Sequence, residues 1–199
     1  VRLEMPPGDW IAAGFSQLIR TEEKSPPREA DPRPESLDAQ RFNEYIRLVN
    51  YYVHQVNLLR YLLGCDYTVT HADPTGVLMV LRGQSGVAAT IEMATHNTSV
   101  AWQEAAFVAF ERGWIKLELP APLAVNRPGK VTIYRDAKGS EPQTIIPELP
   151  WVHAMRQQAI NFLSAVRGEQ TPLCSAQEAI KDLVVLRDYL ELYIQAGGK

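Results

Sequence analysis

Only two cysteines, Cys65 and Cys174, occur in 199 residues. They cannot build a disulfide scaffold, and no CxxC pair or zinc-ligand cluster accompanies them, so the expected setting is reducing and cytoplasmic. An excess of positive charge is also missing. Lys and Arg number 20 against 23 Asp and Glu, a net charge of −3, whereas a dedicated nucleic-acid binder is normally basic. No apolar run approaches the ~20 residues of a membrane span. No basic start followed by an apolar core marks a signal peptide. The twelve glycines are scattered at turns and helix ends. None forms GxGxxG or a Walker loop, so no phosphate cradle opens a helix, and HExxH and GxSxG are absent too. Among His54, His71, His96 and His153, no two stand at metal-ligand spacing with a carboxylate. No metal is expected. Asn97-Thr98-Ser99 matches a glycosylation sequon, which carries no weight without a secretory signal.

What remains is an ordinary globular composition, 46% hydrophobic, in a chain the size of one domain. A chain of this length buries roughly 70% of its unfolded surface and needs no covalent staple. It begins at Val1, which reads as a segment of a longer protein. Trp10 to Ile19 reads as a strand or short apolar segment. From Arg20 to Arg41, five basic and six acidic residues mix with Pro26, Pro27, Pro32 and Pro34. Such a stretch buries too little apolar surface to offset its ordering entropy, so residues 21–35 are expected to be a mobile, Pro-rich, charged loop.

After an N-cap at Ser36, residues Phe42, Tyr45, Ile46, Val49, Val53, Val56 and Leu63 recur at helical spacing. The pattern predicts a helix from Leu37 to Leu63, closed by Gly64 as a left-handed cap. The period then becomes two. Cys65, Tyr67, Val69 and His71 are expected on one face of a strand. Val77–Arg82 and Val87–Met93 read as a hairpin. Trp102–Phe110, Trp114–Leu119, Val131–Tyr134 and Gln143–Ile146 read as further strands. Tight turns between them imply antiparallel neighbours. Two helices follow. Trp151–Arg167 has Val152, Met155, Ala159, Phe162, Leu163 and Val166 on one stripe. The second starts at the capping box Ser175-Ala176-Gln177-Glu178 and runs to Gln195 with Ile180, Leu183, Val184 and Leu190 on its stripe, widened by Val185 and Leu186. This order gives a single α+β domain over 1–199, a predominantly antiparallel open sheet with helices packed on one face. Ala105, Phe107 and Ala109 oppose Ala106, Val108 and Phe110, so that strand is apolar on both faces. The helices cover one face, and a partner is expected on the other.

The residue with chemistry to offer is His54. Asn50, His54 and Asn57 stand four and three apart and share a helix face. Two amides beside an imidazole are costly to bury unless hydrogen-bonded. They are read either as a satisfied structural cluster or as a substrate site in which His54 moves a proton near neutral pH. Tyr51, Tyr52 and Tyr61 read as helix packing, Arg60 as a solvated arginine, and Trp102, Trp114 and Trp151 as core or interface aromatics. His96 is a loop residue within reach of a pocket, and Cys174 reads as inert.

The run His54-Gln55-Val56-Asn57-Leu58-Leu59-Arg60-Tyr61-Leu62-Leu63-Gly64 resembles the helix that opens the C-terminal domain of the Gfo/Idh/MocA oxidoreductases. Gly113-Trp114-Ile115-Lys116-Leu117 resembles a strand of that domain. Phe162-Leu163-Ser164-Ala165-Val166-Arg167-Gly168-Glu169 is similar to its F…A-x-x-x-G helix end. Pro172-Leu173-Cys174-Ser175-Ala176-Gln177-Glu178-Ala179 is similar to its P…S-x-x-E-A approach to the last helix. The resemblance spans Ser36 to Gln195. It implies a parent with an N-terminal Rossmann domain, which holds NAD or NADP and carries a lysine from an E-K-P motif. In such a parent, the C-terminal domain supplies the substrate site and an open sheet that pairs subunits.

The family's motif in this domain is an Asp followed four residues later by His. His54 matches the His, and Asn50 stands at the Asp position. An amide is neutral and cannot support an imidazole's basicity as a carboxylate does. The resemblance therefore implies a substrate-binding and oligomerisation domain of an NAD(P)-dependent oxidoreductase acting on a sugar, cyclitol or related polyol. His54 would be the catalytic residue, with Asn50 and Asn57 binding substrate. No cofactor is expected on this segment, which alone is expected to be inactive. The expected partners are the polyol, the parent's Rossmann domain and a second copy docked through the open sheet face; nucleic acid and membrane are not among them. The alternative is a non-catalytic ligand-binding or dimerisation module that retains the fold.

Overall fold

A computed structural model describes residues 1–5, 22–27, 32–93, 102–125 and 127–198. The Trp10 to Ile19 segment, His96 and Asn97-Thr98-Ser99 lie outside the described residues. Of the 21–35 loop, residues 22–27 and 32–34 are exposed and without regular structure.

Among the described residues, eight strands form one sheet. They are β1 (Arg2–Glu4), β2 (Tyr67–Ala72), β3 (Leu78–Gly83), β4 (Ala88–Glu92), β5 (Glu104–Phe110), β6 (Gly113–Leu119), β7 (Lys130–Arg135) and β8 (Gln143–Ile145). Their order is β2-β3-β4-β1-β5-β6-β7-β8. Every pairing is antiparallel except β1 with β4, where Leu3 lies opposite Ile91. The described residues also form three helices: α1 (Ala39–Leu63), α2 (Ala154–Val166) and α3 (Ala176–Gln195). This is the α+β architecture with an open, mainly antiparallel sheet that the sequence pattern implies. The central strand β1 is new. Three residues carry too short a period to be read as a strand, and its place is set by pairing on both sides.

Helix α1 starts two residues later than the spacing suggests. Asp38, not Ser36, is the N-cap: its carboxylate accepts from Arg41 N at 2.9 Å. Residues 34–37 instead close a turn, with Leu37 N donating to Pro34 O at 3.1 Å. The helix ends as expected on Gly64, whose φ of 65° is the left-handed region that glycine enters without steric cost.

One face of the β2–β5 part of the sheet packs under α1 and α3. Leu48, Tyr52, Val56 and Leu59 of α1 meet Leu3, Met79, Leu81, Ile91 and Ala106 of the sheet and Val185, Leu186, Tyr189 and Leu190 of α3. Two alternations differ from the sequence reading. A bulge between Val69 and His71 shifts the register of β2, so His71 leaves the Tyr67 and Val69 face and Ala72 takes its place in the core. In α3 the buried stripe is Asp182, Val185, Leu186, Tyr189 and Leu190, while Ile180, Leu183 and Val184 are exposed. The stripe is rotated because α3 packs on both α1 and β2.

Helix α2 departs further. It begins at Ala154, capped by His153, and buries none of its residues. Met155, Phe162, Leu163 and Val166 stay exposed, as do Trp151 and Val152 before it.

The β5–β6 turn depends on one glycine. Gly113 has φ of 156°, and a Cβ there would collide with the carbonyl oxygen of Tyr134 on β7. Backbone in a paired ladder cannot move aside as a flexible side chain can. Gly113→Ala is therefore expected to destabilise the chain by about 1–3 kcal/mol in urea denaturation. A loss below about 0.5 kcal/mol would show that the ladder relaxes.

Candidate functional site

Helix α1 gives the three sequence-derived residues different surroundings. Asn50 and His54 are exposed, one turn apart. Asn57 is half-buried and faces α3, where its amide donates to Asp182 Oδ2 at 2.8 Å and to Cys174 Sγ at 3.2 Å. Asn50 and His54 thus share an open surface. Both of Asn57's N–H groups are spent inside the chain, and so is the Cys174 sulfur.

Asn57 belongs to a buried ionic cluster that the sequence reading missed. Arg60 is not solvated. Its side chain is 10% exposed, and that of Asp182 is 2% exposed. Arg60 grips Asp182 through Nη2 and through Nε at 3.1 Å, and reaches Asp66 from Nη1 at 2.9 Å. Its guanidinium also lies 5.7 Å from the centre of the Tyr67 ring. Lys181 bonds Asp66 from the solvent side at 2.7 Å. Lys181, then Arg60, hold the Asp66 carboxyl below its usual range. A cavity of about 410 Å³ opens beside this cluster, lined by Asn57, Arg60, Tyr61, Cys65, Asp66 and Glu178 among others. The signal was present in the sequence: Asp182 stands four and seven residues before Leu186 and Tyr189, in the middle of an apolar stripe.

On the other flank of His54 lies a second polar group. Gln55 is 3% exposed and donates from Nε2 to Glu104 Oε1 at 2.7 Å. Trp102 Nε1 donates to Glu104 Oε2 at 3.3 Å. Gln55 Oε1 is buried and has no hydrogen-bond partner among the described residues. Burial pushes the Glu104 carboxyl above its usual range, against the bonds from Gln55 and Trp102 and the nearby positive charge His54 can carry. The His54 side chain is exposed, whereas the Glu104 carboxyl is desolvated. Glu104 too was legible, as the single charged residue opening the run Ala105-Ala106-Phe107-Val108-Ala109-Phe110.

Tyr52 is packing, as read, with its hydroxyl donating to Met93 O at 3.3 Å. Tyr51 and Tyr61 are exposed. Trp102 packs against the core, while Trp151 is exposed. Trp114 lies on the sheet face away from the helices. Its ring centre is 5.5 Å from that of Phe107 and 5.9 Å from that of Tyr134.

Three solved structures share this fold over almost the whole chain. One is a protein from Desulfitobacterium hafniense described as an NADPH-dependent oxidoreductase (TM-score 0.59, 11% identity, 98% of this chain and 54% of that one). Another is the UDP-N-acetylglucosamine 3-dehydrogenase GnnA from Acidithiobacillus ferrooxidans (0.51, 13%, 97% and 52%). A third is the 3-ketoreductase KijD10 from Actinomadura kijaniata, solved with NADP and TDP-benzene (0.52, 13%, 98% and 53%). This is the fold of the Gfo/Idh/MocA oxidoreductases. The chain spans about half the length of the solved structures it matches. No protein-family model matches its sequence, and no curated protein does.

A nicotinamide dinucleotide binds to a defined backbone element. Such a cofactor needs a strand that runs through a glycine turn into a helix N-terminus. Among the described residues no strand does so: α1 follows the 34–37 turn, α2 follows a segment holding Pro147 and Pro150, and α3 follows α2. The described residues thus show no seat of that kind. Among the described residues there is also no group of three metal-ligating side chains, and no helix is long and apolar enough to cross a membrane.

Proposed function

We propose that this chain is the substrate-binding and oligomerisation domain of a longer, cytoplasmic NAD(P)-dependent oxidoreductase acting on a sugar, cyclitol or related polyol. The observation that carries the reading is the shared fold, which runs through nearly all of this chain and about half of each oxidoreductase. An N-terminal Rossmann domain of the parent holds the NAD or NADP. His54 is the catalytic residue that takes the proton of the substrate hydroxyl, and its exposure suits that role. Asn50, one turn earlier, orients hydroxyls. Asn57 contributes through its carbonyl oxygen, because its N–H groups are engaged. The exposed apolar side chains of α2 and of Ile180 on α3 form the seat of the Rossmann domain.

The test is turnover. The full-length parent is expected to reduce NAD or NADP with at least one of a panel of polyols and sugar nucleotides, and the 199-residue chain alone to reduce none. A parent inactive on the whole panel favours the second reading, a non-catalytic module that keeps the fold. Asn50 at the acidic position and the engaged amide of Asn57 favour that reading.

The open sheet face is the proposed subunit contact. Phe107, Trp114 and Tyr134 make an apolar ladder there, flanked by the charged pair Lys116 and Glu118. Light scattering of the chain is expected to give at least a dimer, and Trp114→Glu to give monomer of 22.3 kDa. Wild-type monomer at all concentrations would remove this assignment.

A further inference from the structure

The contact between Gln55 of α1 and Glu104 of β5 is short of one hydrogen. Gln55 is 3% exposed, and its Nε2 donates to Glu104 Oε1 at 2.7 Å. Trp102 Nε1 donates to Glu104 Oε2 at 3.3 Å. Both donors are neutral, and among the described residues no cation bonds this carboxyl. The charged side chains of the neighbouring strands lie on the other face of the sheet. Glu4 of β1 and Glu118 of β6 stand opposite Ala105, Lys116 of β6 stands opposite Phe107, and Glu92 of β4 pairs with Glu4. Ala105 and Phe107 alternate with Glu104, whose own partner on β6 is Leu119. From α1, the one titratable neighbour is the exposed His54. An ionised carboxylate only accepts, so it gives nothing to Gln55 Oε1, which stays buried with no donor among the described residues. A buried acceptor left unbonded carries its full desolvation cost. The same carboxyl with a proton both donates and accepts. Its carbonyl oxygen keeps the bond from Gln55 Nε2, and its O–H is the donor that Gln55 Oε1 lacks. The acid form also buries no charge. Burial accordingly pushes the Glu104 carboxyl above its usual range despite the two bonds it accepts.

We propose that Glu104 and Gln55 form a proton-operated latch between β5 and α1: a proton on Glu104 closes a two-bond pair of carboxylic acid and amide, and its loss opens one bond and leaves a carboxylate held by neutral donors alone. The proton comes from solvent and returns to it, and the closed pair is neutral. The folded chain holds this proton to higher pH than an unfolded glutamate does. The latch therefore adds stability at acidic pH, and that contribution is lost as pH rises through the Glu104 midpoint. Because α1 is the helix that carries His54, its seating on the sheet follows the same proton. The inference needs no catalytic role for His54.

The test is a carbon NMR pH titration of the 199-residue chain, read at the side-chain carboxyl of Glu104 and the side-chain carbonyl of Gln55. The Glu104 midpoint is expected above the ~4.3 of an unperturbed glutamate. The Gln55 carbonyl carbon is expected to move with the same midpoint, as its bond forms and breaks. Glu104→Gln fixes a neutral donor of the same shape at this place. In that variant the Gln55 carbonyl is expected to be indifferent to pH over the same range, and the urea midpoint to exceed that of wild type at about pH 8, where the wild-type latch is open. A Glu104 midpoint at or below ~4.3 overturns the latch. So does a Gln55 carbonyl carbon that stays in place while Glu104 titrates. Both of these readings use the unaltered chain, so neither depends on the folding of the variant.

Discussion

Asp182→Ala is expected to destabilise the chain by about 3–5 kcal/mol, because it leaves the Arg60 guanidinium buried without its main counter-charge. Arg60 Nε and Nη2 both bond Asp182, and Asn57 adds a third donor to the same carboxylate. Asp66 cannot take over. It is engaged by Lys181 and is much more exposed than Asp182. A domain's whole stability is about 5–15 kcal/mol, so this one change removes a large share of it. Urea denaturation checks the value. A loss under about 1 kcal/mol would mean that water reaches Arg60 freely. The double replacement Arg60→Met with Asp182→Leu separates charge from packing. It is expected to recover most of the loss, since a buried ion pair is often no better than well-packed apolar side chains. The cluster joins α1, β2 and α3, so the single variant loosens the seating of the helix that carries His54.

His54→Ala in the full-length parent is the second large effect. Removing a general base from its place typically costs 10²–10⁴-fold in rate. A fall of about that size in kcat is expected, with the stability of the chain changed by no more than about 0.5 kcal/mol, because the side chain is exposed. The separation matters. Loss of turnover without loss of stability places His54 at the chemistry, whereas Asp182→Ala would lower both. Turnover equal to wild type would remove His54 from the mechanism and leave the fold as a binding module. Asn50→Asp is a useful companion. It introduces a carboxylate one helical turn before His54, where an unlike charge favours the protonated imidazole.

Much of the architecture was legible because local patterns fix it. The period-3.6 stripe over residues 42–63, Gly64 and the Ser175 capping box mark helices whose ends depend on neighbours within four residues. The alternating runs between Gly83 and Ile146 likewise located β4 to β8 within a few residues, because tight turns leave each strand little freedom. The face that a residue takes is a different matter. The β2 bulge moved His71 to the opposite side, and α3 turned its stripe so that Asp182 points inward and Ile180 outward. Both follow from what the element packs against, which no window of sequence contains.

The sequence by itself determined the type and order of the elements from α1 onward, the open α+β sheet, the candidate His54 and the absence of a glycine-rich nucleotide motif. Those properties rest on hydrogen bonds and steric preferences between near neighbours. Only the tertiary structure decided the partners of the polar groups. It joined Arg60 to Asp182 across 122 positions and Gln55 to Glu104 across 49. It also set β1 in the middle of the sheet and left α2 unburied. Each of these depends on groups far apart in the chain being desolvated together. The cost of burying a charge, and the bond that offsets it, exist only once the helices and the sheet have closed over the same space.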